Sequence, residues 1–307
     1  MPKLPASVAA RIAVARAAAP RSPRLAARAV LPLFTSTRPR RRVSPREQAI
    51  HEIARRSTFH AAGHELVSYE WGTGAQVVLL VHGWRGRASQ FAPLVRELRS
   101  EGFRVVAFDA PAHGDSPGRR ADIRDWIAAI EALQQRHGRF SAIVGHSLGG
   151  LAAMTAVAEG TSAGGVVAIA SVGDAAVTTN VFAGALGLGD RAAADLATAF
   201  IHRVAPGLDP AEVWRRFDRV AHPIPAPVPL LLVHDAADRE VPATESERLR
   251  AAHEDRARAV IVTGSGHSRV LGHDTTLDAV TAFALRGPAG VDELATVSAG
   301  SEPHPTA

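Results

Sequence analysis

The residues with the clearest chemical potential lie in a G-x-S-x-G pentapeptide, in which Gly145 and Gly149 flank Ser147. An apolar run at 140–144 precedes the pentapeptide, and an Ala/Leu-rich run typical of a helix follows it at 151–159. A strand, a sharp turn and a helix would hold the Ser147 hydroxyl at the apex of the turn, exposed above the edge of a sheet. The glycines lack the Cβ atoms that would keep strand and helix apart. Ser147 is therefore a candidate nucleophile.

A serine hydroxyl needs a base within hydrogen-bonding reach, and that base needs an acid to orient it. In a parallel sheet, such groups collect on the loops that follow the carboxyl ends of the strands. Asp238 follows a predicted strand at 229–233, and His267 follows the last predicted strand at 257–262. These positions make His267 the candidate base and Asp238 the candidate acid.

The elements that must position these groups alternate along the chain. Strands are predicted at 57–61, 65–71, 76–81, 104–108, 141–144, 165–170, 229–233 and 257–262. Helices are predicted between them at 91–100, 123–136, 148–159, 244–253 and 275–285. This alternation predicts an α/β fold with a doubly wound, mostly parallel eight-stranded sheet, and the first two strands add an antiparallel edge.

One interval is too long for an ordinary crossover, because almost sixty residues separate the strands at 165–170 and 229–233. We predict a helical cap at 174–226 that closes over the sheet, excludes water and shapes an acyl pocket. A surface elaboration that does not gate the site is the alternative. Six apolar cap residues are candidates for the pocket lining: Phe182, Leu186, Leu188, Phe200, Trp214 and Phe217.

Charge divides the 307-residue chain unevenly. Residues 1–46 contain ten Arg, one Lys and no acid, so they carry +11, whereas the whole chain carries +5 and the remainder −6. We predict that 1–46 is a flexible basic leader, that 47–173 and 227–286 form the core domain, and that 287–307 is a disordered tail. The basic balance belongs to the leader, so nucleic-acid binding is not predicted. A transit peptide and a segment that lies on an anionic membrane surface or RNA are alternatives for the leader.

The composition excludes several classes of protein. Without cysteine the chain has no disulfides and no thiolate nucleophile, which suits a cytoplasmic location. No apolar run reaches the roughly 18 residues that a membrane-spanning helix needs. No pair of residues has the spacing of metal ligands and no dinucleotide fingerprint occurs, so neither a metal nor a cofactor is predicted.

Over residues 59–285 the sequence resembles α/β-hydrolases of the helical-cap kind. The resemblance rests on five ordered motifs: His82-Gly83, residues 109–116, the GHSLGG elbow at 145–150, Asp238 before Val241-Pro242, and Gly266-His267. It implies that Ser147 attacks an acyl carbon, that His267 transfers the proton, and that Asp238 holds the tautomer of His267. It also implies an oxyanion hole made by the backbone N–H groups of Trp84 and Leu148.

The acid of the triad has rivals. Asp235 lies just before Asp238, Glu240 just after it, and Asp174 follows the preceding strand, where some hydrolases of this fold carry the acid. Five further polar residues near the motifs are expected to brace loops rather than to react: His82, Asp109, His113, Ser116 and His146.

The function that the resemblance implies is hydrolysis of a small-molecule carboxylic ester or thioester through an acyl-enzyme. Hydrolysis of a carbon–carbon bond on the same fold is the enzymatic alternative, and a non-catalytic binding protein with a hydrolase fold is the alternative outside enzymology.

Overall fold

The computed structural model describes residues 5–300, and its centre is one sheet of eight strands. The strands are β1 (Arg55–Ala61), β2 (His64–Trp71), β3 (Val77–Val81), β4 (Arg104–Asp109), β5 (Ala142–His146), β6 (Val166–Ile169), β7 (Leu230–Asp235) and β8 (Ala257–Val262). Their order is β1-β2-β4-β3-β5-β6-β7-β8, in which β1, β2 and β4 pair antiparallel and all other neighbours pair parallel. The predicted fold class, a doubly wound and mostly parallel eight-stranded sheet, is confirmed.

Helices cover both faces of this sheet. In chain order, the helices of the described residues are α1 (Ala6–Ala18), α2 (Pro23–Phe34), α3 (Pro45–Glu52), α4 (Ala92–Ser100), α5 (Ile123–His137), α6 (Leu148–Ala158), α7 (Ala176–Ala185), α8 (Asp190–Val204), α9 (Pro210–Arg216), α10 (Thr244–His253), α11 (Gly266–Arg269), α12 (Asp274–Arg286) and α13 (Pro288–Gly300). All residues of β3, β5, β6 and β7 are buried, as strands covered on both faces must be. The edge strand β8 alternates instead between buried and more accessible residues.

Two apolar layers fix the sheet between the helices. On one face the largest buried side chain is Trp126 of α5, which packs with Leu151 and Met154 of α6. On the other face Leu94 of α4 and Phe283 of α12 form the corresponding layer. Burial of side chains of this size contributes about 1.5–3 kcal/mol each, so both layers hold the strand ends in fixed positions.

Helices α7, α8 and α9 lie in the long insertion between β6 and β7, in the interval 174–226 where the sequence predicts a helical cap. The N-terminal helices α1 and α2 pack against α7 and α8. The apolar cluster between them contains Ala15, Ala26, Ala27 and Val30 from the N-terminal segment and Ala183, Leu188, Ala192, Ala193 and Leu196 from the insertion.

This packing corrects the prediction of a flexible leader. Within residues 5–46, α1 and α2 form a helical hairpin, and Arg16 Nε donates a hydrogen bond to the Leu186 carbonyl at 2.9 Å. Alanine gives little hydrophobic signal in a sequence, yet its small side chain lets helices approach closely, so the packed face was not recognised. Residues 1–4 lie outside the described part of the chain. Contact between the hairpin and an anionic membrane stays an alternative that no observation here tests.

The carboxyl end of the chain also differs from the prediction of a disordered tail. Residues 288–300 form α13, and Arg258 of β8 pairs with Asp292 of this helix, with Nε 2.6 Å from Oδ1. Residues 301–307, the rest of the predicted tail, lie outside the described residues. Among the helices of residues 5–300, none is long and apolar enough to cross a membrane.

Candidate active site

The candidate nucleophile lies in a strained turn between β5 and α6. Ser147 has φ 54° and ψ −125°, a conformation that a residue with a side chain rarely adopts. A Cβ atom on Gly145 would lie 2.4 Å from the Gly149 carbonyl oxygen, and one on Gly149 would lie 2.2 Å from the Val81 carbonyl oxygen. Both positions therefore require glycine, and the close approach of strand and helix lifts Ser147 above the sheet.

The candidate base and acid meet beside the carboxyl edge of the sheet. Asp238 lies in the loop after β7, and His267 lies at the start of α11 after β8. The Nδ1 of His267 is 2.8 Å from Oδ2 of Asp238. Since a carboxylate can only accept, Nδ1 carries the proton and donates it, which leaves Nε2 of His267 as the basic nitrogen.

The Asp238 carboxylate is buried and satisfied by several donors. Its Oδ1 accepts the backbone N–H groups of Glu240 at 2.8 Å and Val241 at 3.1 Å. Its Oδ2 lies 3.4 Å from Nε2 of His234 in addition to its contact with His267. Burial acts to raise the pKa of Asp238, but the hydrogen bonds from both histidines outweigh it and hold the pKa well below its usual value. Asp238 is therefore ionised at neutral pH.

Sequence reasoning missed His234. This residue ends β7 fully buried, and its Nε2 donates to the Val241 carbonyl at 3.0 Å while pointing towards Asp238. Its Nδ1 accepts from the Ser246 hydroxyl at 2.7 Å. A histidine at the end of an otherwise apolar strand could have marked His234 as a functional candidate. Its partners Asp238 and Val241, however, lie in the loop after β7, whose path the sequence does not predict.

The rival acids have other partners. Asp235 is buried, and its carboxylate accepts the backbone N–H groups of Ser265 at 2.5 Å and Ala237 at 2.8 Å, so it ties the loop of β7 to the loop of His267. Asp174 accepts the N–H of Ala176 at the start of α7. Within residues 5–300, neither carboxylate is hydrogen-bonded to His267.

His146, the neighbour of Ser147, fixes the backbone of His267. Its Nε2 donates to the His267 carbonyl at 2.8 Å, and its Nδ1 accepts from Nε2 of Gln90 at 3.2 Å. Burial lowers the pKa of His146 to about 3, so the ring is neutral at pH 7 and keeps this donor–acceptor arrangement.

The loop after β3 also lies close to the candidate nucleophile. A Cβ on Gly83 would lie 2.8 Å from Cβ of Ser147. His82 Nδ1 donates to the Gly83 carbonyl at 2.7 Å, while its Nε2 accepts the N–H of Ala110 at 3.0 Å. In a trans peptide the carbonyl and the following N–H point in opposite directions, so His82 fixes the direction of the Trp84 N–H.

The two backbone donors predicted for the oxyanion are not hydrogen-bonded to the described part of the chain. The N–H groups of Trp84 and Leu148 make no hydrogen bond within residues 5–300. Leu148 is the first residue of α6, where N–H groups have no partner inside the helix and the helix dipole favours negative charge. Both groups are free to bind an anionic oxygen.

The four groups open onto one cavity of about 380 Å³, which Ser147, Leu148, Trp84 and His267 all line. This volume lies within the range of small-molecule sites.

Most of the remaining wall is apolar, and it includes four of the six predicted lining residues, Phe182, Phe200, Trp214 and Phe217. Leu186 and Leu188 instead pack against the N-terminal hairpin. Leu33 and Phe34 of α2 also line the cavity, and sequence reasoning missed them because the leader was expected to be flexible.

Comparison with known proteins identifies the fold that carries this site. The model of the alpha/beta hydrolase family matches residues 78–282, which is more than half of the chain and includes Ser147, Asp238 and His267.

The chain belongs to the alpha/beta hydrolase family.

Solved structures agree with this assignment at the level of the fold. An esterase from Pyrococcus furiosus is 17% identical and has a TM-score of 0.58, covering 77% of this chain and 91% of the esterase chain. The alpha/beta hydrolase domain-containing protein 10 from mouse is 16% identical with a TM-score of 0.59, covering 79% of this chain and 99% of the mouse chain. The thioesterase domain of the curacin biosynthetic pathway is 17% identical with a TM-score of 0.54, covering 76% of this chain and 99% of that domain.

The family match confirms the resemblance to α/β-hydrolases that the sequence motifs indicate, and the solved structures confirm the fold. In the described part of this hydrolase, residues 5–300, no group of three or more His, Cys, Asp or Glu side chains is arranged to hold a metal ion. The polar groups at the cavity include the Ser147 hydroxyl, the His267 imidazole and the free N–H groups of Trp84 and Leu148. Five charged side chains also line it: Arg85, Asp122, Arg124, Arg239 and Glu240.

Proposed function

We propose that this hydrolase cleaves carboxylic esters or thioesters with apolar acyl groups through an acyl-enzyme on Ser147. One observation carries the proposal: Ser147 lines the same apolar cavity as His267, the imidazole that Asp238 holds at 2.8 Å. Such a nucleophile, base and acid, with two backbone donors nearby, are the parts that acyl transfer requires.

In the first half of the reaction, Nε2 of His267 takes the proton of the Ser147 hydroxyl as Oγ bonds to the acyl carbon. The carbonyl oxygen becomes an oxyanion and accepts hydrogen bonds from the N–H groups of Trp84 and Leu148. Each such donor is worth about 3 kcal/mol of barrier lowering. When the tetrahedral intermediate collapses, the bond to the leaving group breaks and His267 protonates the departing alcohol or thiol.

In the second half, a water molecule replaces the leaving group. His267 takes a proton from the water, whose oxygen bonds to the acyl carbon, and the same two N–H groups again bind the oxyanion. Collapse breaks the bond between Oγ and the acyl carbon, and His267 returns the proton to Ser147. Asp238 stays ionised throughout and stabilises the imidazolium that forms in each half.

The shape and polarity of the cavity support an apolar acyl group as substrate. Side chains of α7, α8 and α9, with Phe34 of α2, surround the space above Ser147. Burial of each methylene against such a wall contributes about 0.8 kcal/mol, so an apolar acyl chain gains affinity as it lengthens.

The direct test is a series of p-nitrophenyl esters of increasing acyl length, with the wild type compared with Ser147→Ala. Ser100→Ala, which replaces an exposed serine at the end of α4, is the matched control. We expect the wild type and Ser100→Ala to hydrolyse the esters equally and Ser147→Ala to lose at least about 10⁴-fold in kcat. Full turnover by a folded Ser147→Ala would disprove the proposal.

A further inference from the structure

The carboxyl end of the N-terminal hairpin reaches the candidate active site. Leu33, Phe34 and Thr35 line the cavity that also contains Ser147 and His267. These three residues lie before the core domain and outside residues 78–282, the part that the family model matches.

Phe34 joins the two longest cap helices by ring contacts. Its ring centroid lies 5.2 Å from that of Phe182 on α7 and 5.2 Å from that of Phe200 on α8, both in edge-to-face geometry. Phe200 in turn lies 6.3 Å from Trp214 of α9. All four rings line the cavity, so Phe34 completes an aromatic wall that the cap begins.

The same end of the hairpin holds the loop that carries one of the free N–H groups. The Ser36 carbonyl accepts hydrogen bonds from Nε1 of Trp84 at 3.1 Å and from Nε of Arg85 at 2.9 Å. Arg85 also donates to the Leu33 carbonyl at 3.4 Å. The indole of Trp84 is therefore fixed on one side by the hairpin, and on the other it stacks on Trp126 at 5.9 Å.

Contacts remote from the cavity hold the hairpin in this place. Ala15 and Ala26 are fully buried against the cap, and Arg24 lies 3.8 Å from Asp195 of α8. Together with the bond from Arg16 to the Leu186 carbonyl, these contacts give the hairpin a defined position relative to α7 and α8.

We propose that the N-terminal hairpin is part of the active-site enclosure and that Phe34 is a specificity-determining residue that limits the length of the acyl chain. The inference rests on the proposed function for the bond that is cleaved, but it concerns which acyl groups fit. The aromatic ring of Phe34 occupies space between α7 and α8, and a smaller side chain leaves that space to the substrate. Each additional methylene that becomes buried there strengthens binding about fourfold.

The test compares p-nitrophenyl esters from acetate to dodecanoate on the full chain with Phe34→Ala, Phe34→Leu and Phe34→Trp. The readout is the ratio of kcat/KM for each long ester to kcat/KM for the acetate. We expect this ratio to rise at least about tenfold in Phe34→Ala, which corresponds to two newly buried methylenes, to rise less in Phe34→Leu and to fall in Phe34→Trp. Leu25→Ala is the matched control, since Leu25 lies on the same helix but points to solvent with 51% exposure.

A second measurement tests binding alone and does not depend on catalytic turnover. In the Ser147→Ala background, calorimetric titration with alkanoate anions of six to fourteen carbons reports how chain length affects affinity, with and without Phe34→Ala. Tighter binding of the longer anions by the double variant supports the inference even if the wild type hydrolyses no ester, an outcome that would reject only the proposed function. The inference is wrong if folded Phe34→Ala has the chain-length profile of Leu25→Ala in the kinetics and the folded double variant has that of Ser147→Ala in the titration.

Discussion

The carboxyl edge of the sheet and the enclosure above it are built from different contacts. At the edge, Asp238 has four hydrogen-bonding or ionic partners and His267 is held both at its ring and at its carbonyl. In the enclosure, Phe34 and the cap residues Phe182 and Phe200 meet through ring contacts alone. Hydrogen bonds fix direction, whereas apolar contacts mainly fix volume.

This difference predicts two kinds of mutational effect. Changes at the edge of the sheet should alter the rate for every substrate, because they displace or mis-protonate reacting groups. Changes in the enclosure should alter the choice of substrate, as proposed for Phe34. The following variants, beginning with the largest expected effect, test this contrast and, with His113→Phe, the burial of a charge-bearing group near the edge of the sheet.

Asp238→Asn should lower kcat about 10⁴-fold, the cost typical of losing the correct histidine tautomer in such a triad. The amide would present a donor to Nδ1 of His267 and favour the tautomer whose Nε2 carries the proton. Steady-state kinetics with a short and a medium-length ester measure the effect, which should be equal for both. Asp174→Asn is the control, and a larger loss in this variant than in Asp238→Asn would assign the acid to Asp174.

Gly83→Ala should lower kcat about 10²-fold with little change in KM, which is the cost of losing one oxyanion donor. The new Cβ would lie 2.8 Å from Cβ of Ser147 and 2.9 Å from the His146 carbonyl oxygen, so the loop carrying the Trp84 N–H must move. Gly184→Ala in α7 is the matched control, since nothing lies within 4 Å of the added Cβ there. Equal kcat values for the two variants would contradict the assigned role of the loop.

His113→Phe should flatten the pH dependence of stability. Burial lowers the pKa of His113 to about 3, whereas an unfolded histidine titrates near 6.5. Between these values the unfolded chain binds the extra proton, so the free energy of unfolding falls as the pH falls. Removal of this group should reduce the slope between pH 6 and 4 by about 1.4 kcal/mol per pH unit. Urea unfolding at several pH values measures the slope. An unchanged slope in His113→Phe would contradict the lowered pKa of His113 in the folded protein.

Trp84→Phe tests the contact between the loop after β3, at the edge of the sheet, and the N-terminal hairpin of the enclosure. The variant keeps the backbone N–H but loses the indole hydrogen bond to the Ser36 carbonyl of the hairpin. A net hydrogen bond is worth about 1 kcal/mol, so we expect kcat to fall by at most about fivefold while KM for short esters changes less. A change confined to KM for long esters would place Trp84 in the enclosure only.

The sequence predicts the parts of the site where the backbone geometry permits only certain residue types. Gly145 and Gly149 were recognisable because the turn around Ser147 leaves no space for a Cβ. The buried strands were recognisable from continuous apolar runs, and their ends placed Asp238 and His267 at one edge of the sheet.

Other parts depended on distant partners and left little local signal. The alanine faces of α1 and α2 can be recognised as packed surfaces only when α7 and α8 are placed against them, so the sequence alone predicts a flexible leader. His234 reaches Asp238 only because the loop after β7 curls back over the end of that strand. Phe34 as a cavity residue could be found only once the hairpin was placed on the cap.

The central claim is that Ser147 is a nucleophile activated by the His267–Asp238 pair. Labelling of the folded full chain with a fluorophosphonate, followed by peptide mapping, tests it most directly, since the reaction requires an activated serine and no knowledge of the substrate. We predict one covalent adduct, on Ser147, formed rapidly by the wild type and at least about 10³-fold more slowly by Asp238→Asn. Absence of an adduct on the folded wild type, or equal labelling rates for the two proteins, would contradict the claim.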